Sequence, residues 1–238
     1  GGGYGAYFES FIAASGEPIV WQGLMLLLTA LVVAGGVNQG IERASSWLMP
    51  LLAAIVLGLA VVALTLPGSA EGVAFLFRPD WSALAEPGLY IAALGQAFFS
   101  LGLGMAVFIA YGSYLSPTAR LSTGAVAVAL GDTVFAMAAG LAIFPAVFAL
   151  GGDPAAGPQL AFITIPQILL ETPGGRIVGP VFFFLLSAAA LTSMVSLLEA
   201  TSAVARQRLG WSRHRAATLV ALAIFLLGIP SALSYGVL

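Results

Sequence analysis

The chain has no cysteine and no lysine, a single histidine, and few charges of either sign. Without cysteine, disulfides and thiolate metal sites are excluded. The one histidine, His214, lies in a basic stretch, so no Ser–His pair is at hand inside an apolar segment for nucleophilic catalysis. Charged residues make up 8% of the 238 positions, where a soluble domain carries about 25%. A soluble fold is therefore excluded as well. What the chain has instead is apolar length: 60% of residues are hydrophobic and the mean hydropathy is +1.04.

Apolar runs near the length of a bilayer crossing recur throughout. They predict six spans: Val20–Gly36, Ser46–Leu66, Leu89–Leu115, Thr123–Leu150, Val178–Ala205 and Ala217–Leu233. Several are long enough to tilt or to extend past the membrane. The expected class is an all-α integral membrane protein.

The net charge of −2 hides a sharp asymmetry. Arg43, Arg120, Arg206, Arg208, Arg213 and Arg215 fall in alternate loops, and the other loops hold only Arg78 and Arg176. The positive-inside rule places the first set in the cytoplasm. Glu9, Glu17, Glu71, Asp80, Glu86, Asp153 and Glu171 collect on the opposite side. The chain is thus predicted to begin outside, cross six times and end outside. A basic cluster at a helix end sets topology, so no nucleic-acid partner is expected.

Two loops are distinguished. Pro67–Pro87 reads as polar. Gly151–Gly175 carries an apolar run, Leu160–Leu170, too short to span. That run is either a re-entrant lid dipping into the protein or a short helix resting on its surface. The chain opens on Gly1-Gly2-Gly3 with no initiator Met and no signal-peptide pattern. Spans before it, and after it, are expected in the complete protein.

The strongest local signal is Phe98-Phe99-Ser100-Leu101-Gly102-Leu103-Gly104-Met105, where two glycines interrupt a would-be spanning helix. Broken backbone at membrane depth is tolerated only when buried in protein or lining a cavity. With 29 glycines in the chain, simple close packing is the bland alternative. Gln96, Ser100, Tyr111 and Tyr114 flank the break and favour a ligand. Half-helix ends would offer their dipoles to a carboxylate or a cation.

Asp132 is the acid well inside a span, with no Arg or Lys within any predicted span to pair it. At the bilayer centre a carboxylate costs about 2.5–3.5 kcal/mol even on the lenient insertion scale. A proton, a cation or a water-filled cavity must relieve it. Glu199 lies near a predicted cytoplasmic end and is expected to be reached by water. Thr192, Ser193 and Ser196 form a hydroxyl cluster beside Ala188-Ala189-Ala190. Such hydroxyls usually bond the carbonyl one turn back, but their oxygens also suit a hard cation. Leu130-Gly131-Asp132 is similar to the Gly-x-Gly-Asp signature of intramembrane aspartyl proteases, yet Ala129 replaces the first glycine and no second Asp completes a dyad.

Several motifs together resemble the bacterial branch of the neurotransmitter:sodium symporter family. Gly40-Ile41-Glu42-Arg43 with Trp47-Leu48-Met49-Pro50 is similar to the approach to its fifth helix. Phe75–Leu84 resembles the extracellular segment before the sixth. Ala93–Gly104 resembles the unwound sixth helix, the most specific match. Ala139–Pro145 resembles the seventh and Leu191-Thr192-Ser193 the core of the eighth. The resemblance implies a segment, helices four to nine, of an inverted-repeat (5+5) transporter fold with a discontinuous helix.

It also implies sodium-coupled amino-acid symport by alternating access at the cell's inner (plasma) membrane. No cofactor is implied. The partners would be an amino acid, sodium, the lipid bilayer and the missing helices of the same protein. By the resemblance, Ser100 and Asp132 contribute to one sodium site, and the Ala189 carbonyl with Thr192 and Ser193 to a second. Phe99, Ser100, Gly102, Gly104, Met105, Ser193 and Leu197 would meet the substrate, with Phe99 as its aromatic lid. The family commonly has Asn at the place of Asp132 and Ser at the place of Gly102. Met105 in place of an aromatic suggests a bulky hydrophobic or aromatic substrate. Ala136, where chloride-dependent members carry Ser, implies chloride independence. The alternatives are a transport-incompetent fragment or scaffold, and a proton-coupled permease using Asp132.

Overall fold

Proline and glycine punctuate the apolar sequence into helices, and no strand occurs among the described residues. The computed structural model describes residues 3–36, 40–116, 118–157, 160–171 and 174–234. In chain order the helices are α1 (Gly3–Ala13), α2 (Glu17–Gly35), α3 (Gly40–Thr65), α4 (Ser69–Phe77), α5 (Pro87–Ser100) and α6 (Val107–Gly112). There follow α7 (Leu121–Ala149), α8 (Ile165–Glu171), α9 (Gly175–Leu209) and α10 (Arg213–Leu233). Gly1 and Gly2 lie outside the described residues, as do the side chains of Gly40–Arg43 and Glu171 used in the topology reading.

Five stretches are long and apolar enough to cross a membrane: Glu17–Gly35, Ser46–Thr65, Leu121–Ala149, Gly175–Leu209 and Arg213–Leu233. They coincide with five of the expected spans. The sixth, Leu89–Leu115, is helical only in α5 and α6, on either side of the glycine break.

The described chain groups into two compact units. The first combines Gly1–Leu51, Ile109–Ser113 and Val181–Leu238. Here α2 and α10 pack along each other, closely enough that a Cβ added at Gly23 would stand 3.3 Å from the Phe225 ring, and the Gln22 amide donates to the Phe225 carbonyl at 3.2 Å. Val33, Val195, Leu198, Ala217 and Ala221 form the core where α9 joins them. Ser212 caps α10, accepting from the Arg215 N–H, so Arg213–Arg215 open a helix rather than lie in a loop.

The second unit is Leu52–Phe108 with Tyr114–Pro180. Buried Leu52, Val56, Leu59, Ala60 and Ala63 recur every three or four residues and give α3 one inward stripe. The Pro67–Pro87 stretch, read as a polar loop, is corrected. Its α4 packs on α7, with Gly72 against the Phe144–Pro145 backbone and Phe75 stacked on Phe144 and Phe148 at 5.0 and 5.5 Å. Apolar residues on one face of a nine-residue helix outweigh its polar ends. Beyond α4, the Asp80 carboxylate accepts from the Ser82 hydroxyl and from its N–H at 3.0 Å. These bonds hold its carboxyl below the ordinary 3.8. Their contribution is present above that value and lost as pH falls through the lower folded one.

The apolar run from Leu160 turns through a π-helical segment, Leu160–Thr164, into α8. Ile165, Ile168 and Leu169 are buried, and Ile168 joins Ala63 and Ala146 in the core of this unit. Phe162 and Leu170 on the same run are exposed, so it packs one face against this unit.

Candidate functional site

The break begins where α5 ends in a full C-cap. Gly102 adopts φ 67°, its N–H bonds the Phe99 carbonyl at 3.1 Å, and the Leu103 N–H bonds the Phe98 carbonyl at 2.8 Å. This is the Schellman arrangement, which needs a residue free to turn left-handed at the Gly102 position. The Leu101 N–H takes the Ala97 carbonyl at 3.1 Å. Among the described residues, the Ser100 carbonyl is then the last-turn carbonyl with no backbone donor. Gly104 at φ 83° and Ala106 at φ 59° carry the chain on to α6.

A Cβ on Gly102 or Gly104 meets no atom within 4 Å. Substitution there meets a conformational penalty and not a clash. Gly104→Ala is expected to lower the melting stability of the full-length protein by about 1–2 kcal/mol, the cost of a left-handed L-residue. Thermal unfolding in detergent measures it. Ala106 already bears that strain. No sequence signal marked it, since alanine is the residue most at home in a helix.

Beside this cap, α7 presents half-buried Asp132. The Ser100 hydroxyl, on the last residue of α5, lies 2.8 Å from each of the two carboxylate oxygens. A carboxylate is thus held against the negative end of a helix dipole, next to a free carbonyl and a hydroxyl. The oxygen donors all favour a hard cation. Phe99, Gly102, Gly104 and Met105 belong to the same unit; Phe99 is exposed and Met105 partly so.

In the other unit, α9 carries the hydroxyl cluster. The Thr192 hydroxyl donates to the Ala189 carbonyl at 2.7 Å and Ser193 to the same oxygen at 3.4 Å. The helix-internal bonding usual for such residues is present, and it also gathers three oxygens at one point. Ser196 donates to the Thr192 carbonyl at 3.0 Å and lies 3.0 Å from the Tyr111 hydroxyl of α6. Leu197 is exposed on the same helix. The expected site residues therefore form two groups, one in each unit.

Glu199 is a correction. It is 1% exposed, not reached by water, and ion-paired at 2.8 Å to both Arg206 and Arg213. Arg206 stands seven residues on, two turns along one face of α9. Arg213 also donates through Nε to the Val33 carbonyl at 2.7 Å, neutralising the C-terminal turn of α2. The spacing of Glu199 and Arg206 was visible in sequence, but the reach of Arg213 to α2 was not.

Comparison with known proteins follows the same lines. Residues 8–238 match the model of the sodium:neurotransmitter symporter family, and the chain belongs to that family. It is a family of transporters, not enzymes, and the chain is part of a multi-pass membrane protein, with bacterial relatives. An uncharacterized sodium-dependent transporter, YhdH of Bacillus subtilis, is 41% identical over 235 residues, covering 99% of this chain and 52% of that one. Another from Haemophilus influenzae is 38% identical over 218 residues, covering 91% of this chain and 48% of that protein. The crystal structure of MhsT in complex with L-phenylalanine superposes with a TM-score of 0.94 at 53% identity, covering 99% of this chain and 54% of that chain. The chain spans about half the length of the curated relatives it matches.

Proposed function

We propose that this chain belongs to a sodium-coupled amino-acid symporter of the plasma membrane, working by alternating access with the helices that complete its relatives. The observation that carries the reading is the Ser100–Asp132 pair at the capped end of α5. The Asp132 carboxylate accepts from the Ser100 hydroxyl at the negative pole of a helix dipole, and a cation relieves the repulsion between that pole and the carboxylate.

Sodium is bound as cargo by Ser100 and Asp132, and a second ion by Ala189, Thr192 and Ser193. The substrate's amino and carboxylate groups meet the backbone around Ser100, Gly102 and Gly104. Phe99 and the Leu160–Leu170 segment close above it. Met105, Ser193 and Leu197 contact its side chain. A bulky hydrophobic or aromatic amino acid is the expected substrate. MhsT, 53% identical, was crystallised with L-phenylalanine, which supports this choice. Ala136 supports chloride independence. The arginines of Arg206–Arg215 lie on the cytoplasmic side, which puts the start and end of this chain outside.

The test is uptake of L-phenylalanine by the full-length protein in vesicles, with sodium or potassium outside and chloride or gluconate as anion. Sodium-dependent, chloride-independent accumulation is expected. Uptake indifferent to sodium would sink the reading. The carboxylate of Asp132, standing where the family commonly has Asn, motivates a second reading in which it carries a proton. Asp132→Asn keeps an oxygen donor but cannot exchange a proton. Sodium-driven uptake is expected to persist in this variant with weakened sodium affinity; abolished coupling would favour the proton reading.

A further inference from the structure

Tyr111 has a place in this scheme that neither the break nor the ion ligands account for. The short helix α6 follows the break directly, yet Ile109–Ser113 groups with α9, while the chain through Phe108 groups with α5 and α7. What meets α9 there is the Tyr111 hydroxyl, 3.0 Å from the Ser196 hydroxyl, with both residues half-buried. Ser196 also bonds the Thr192 carbonyl at 3.0 Å. The Ser196 hydroxyl thus bridges Tyr111 and the Thr192 backbone, and either hydroxyl of the Tyr111–Ser196 pair can be the donor. Thr192 in turn bonds the Ala189 carbonyl through its own hydroxyl at 2.7 Å. These bonds lead from the half-helix after the break to the turn of α9 that carries the oxygen cluster.

We propose that Tyr111 is a positioning residue for ion coupling, fastening α6 to the turn of α9 that presents Ala189, Thr192 and Ser193. The inference rests on the reading that those oxygens hold sodium. An ion there favours one set of hydroxyl orientations and one position of the Thr192 turn. Through Ser196 and Tyr111 that preference is shared with α6, and so with the backbone that meets the substrate. Coupling of this kind is reciprocal: what sodium does for substrate affinity, substrate does for sodium affinity. A phenylalanine ring fills the space of tyrosine but donates nothing, so it removes the link without removing the packing.

The experiment uses the full-length protein and measures L-phenylalanine affinity at low and at saturating sodium, with potassium as replacement ion. The ratio of the two affinities is the coupling factor. In Tyr111→Phe it is expected to shrink about three- to ten-fold, the range that one net hydrogen bond supports. Affinity at low sodium should stay within about two-fold of the parent, since that state does not use the link. Ser196→Ala should reproduce the loss, and the double variant should lose no more than either single one. An unchanged coupling factor in both single variants overturns the proposal. So does an equal loss of affinity at every sodium concentration, which is the mark of a merely structural tyrosine. If the parent protein itself binds L-phenylalanine without regard to sodium, the transport reading fails first and this inference falls with it.

Discussion

Replacing Arg206 and Arg213 together with glutamine is expected to destabilise the full-length protein by more than the sum of the two single replacements. Glu199 is the buried member of the cluster, at 1% exposure, while the two arginine side chains keep 25% and 32%. Either arginine alone can hold the carboxylate. Removing one leaves a partner in place. Removing both takes both arginines from a buried carboxylate, a change that costs about 3–5 kcal/mol. Arg206→Gln alone should cost about 1 kcal/mol, the net worth of an ordinary buried hydrogen bond. Arg213→Gln should cost more, about 1.5–3 kcal/mol, because it also strips the charged donor from the Val33 carbonyl. Adding Glu199→Gln to the double variant should recover part of the loss, since a buried amide is easier to accommodate than a carboxylate that has lost both arginines. Thermal unfolding of the parent and the four variants decides it. Additive single losses, or no rescue, would show that the cluster does not act as a unit.

Gly72→Ala is the second large effect. A Cβ built on Gly72 falls 2.5 Å from the Phe144 carbonyl carbon and oxygen and from the Pro145 Cα. These are backbone atoms, so no side-chain rotation makes room, and α4 must lift from α7. Overpacking of this kind costs about 1–3 kcal/mol. The lift would also open the stack of Phe75 on Phe144 and Phe148. Gly58→Ala in α3 is the control, because a Cβ there meets nothing within 4 Å. In a helix interior it should be neutral or stabilising by up to about 1 kcal/mol. A Gly72→Ala protein that melts no lower than Gly58→Ala would contradict the close packing of α4 and α7.

The membrane class, five spans and the break were legible because each is written in composition or in residues with one physical use. Long apolar runs have few soluble homes, and Gly102 and Gly104 stand where only glycine turns without strain. The hydroxyl cluster was legible in the same way, as polar residues in an apolar helix. What escaped was set by distance. Nothing local says that Ser100 reaches a carboxylate 32 residues away, and its pairing with Asp132 was anticipated only through the family resemblance. Glu199 looked water-accessible because its burial depends on packing against α10 and against α2, the latter far off in sequence. The helix α4 was missed because flanking prolines and a short length outweighed its one apolar face.

The two-unit arrangement has a consequence for how the protein is made. The first unit joins Gly1–Leu51 to Val181–Leu238, and the second lies almost wholly between these stretches in sequence. Gln22 of α2 finds the Phe225 carbonyl of α10 across 203 residues of sequence. At ribosomal speeds of about 5–20 residues per second, α2 waits roughly 10–40 seconds after its own synthesis for that partner to emerge. Over that interval the Gln22–Phe225 bond is unmade, while α3, α4 and α7 can already pack. Residues 52–180 are thus available to pack before α10, on which α2 depends, has been made.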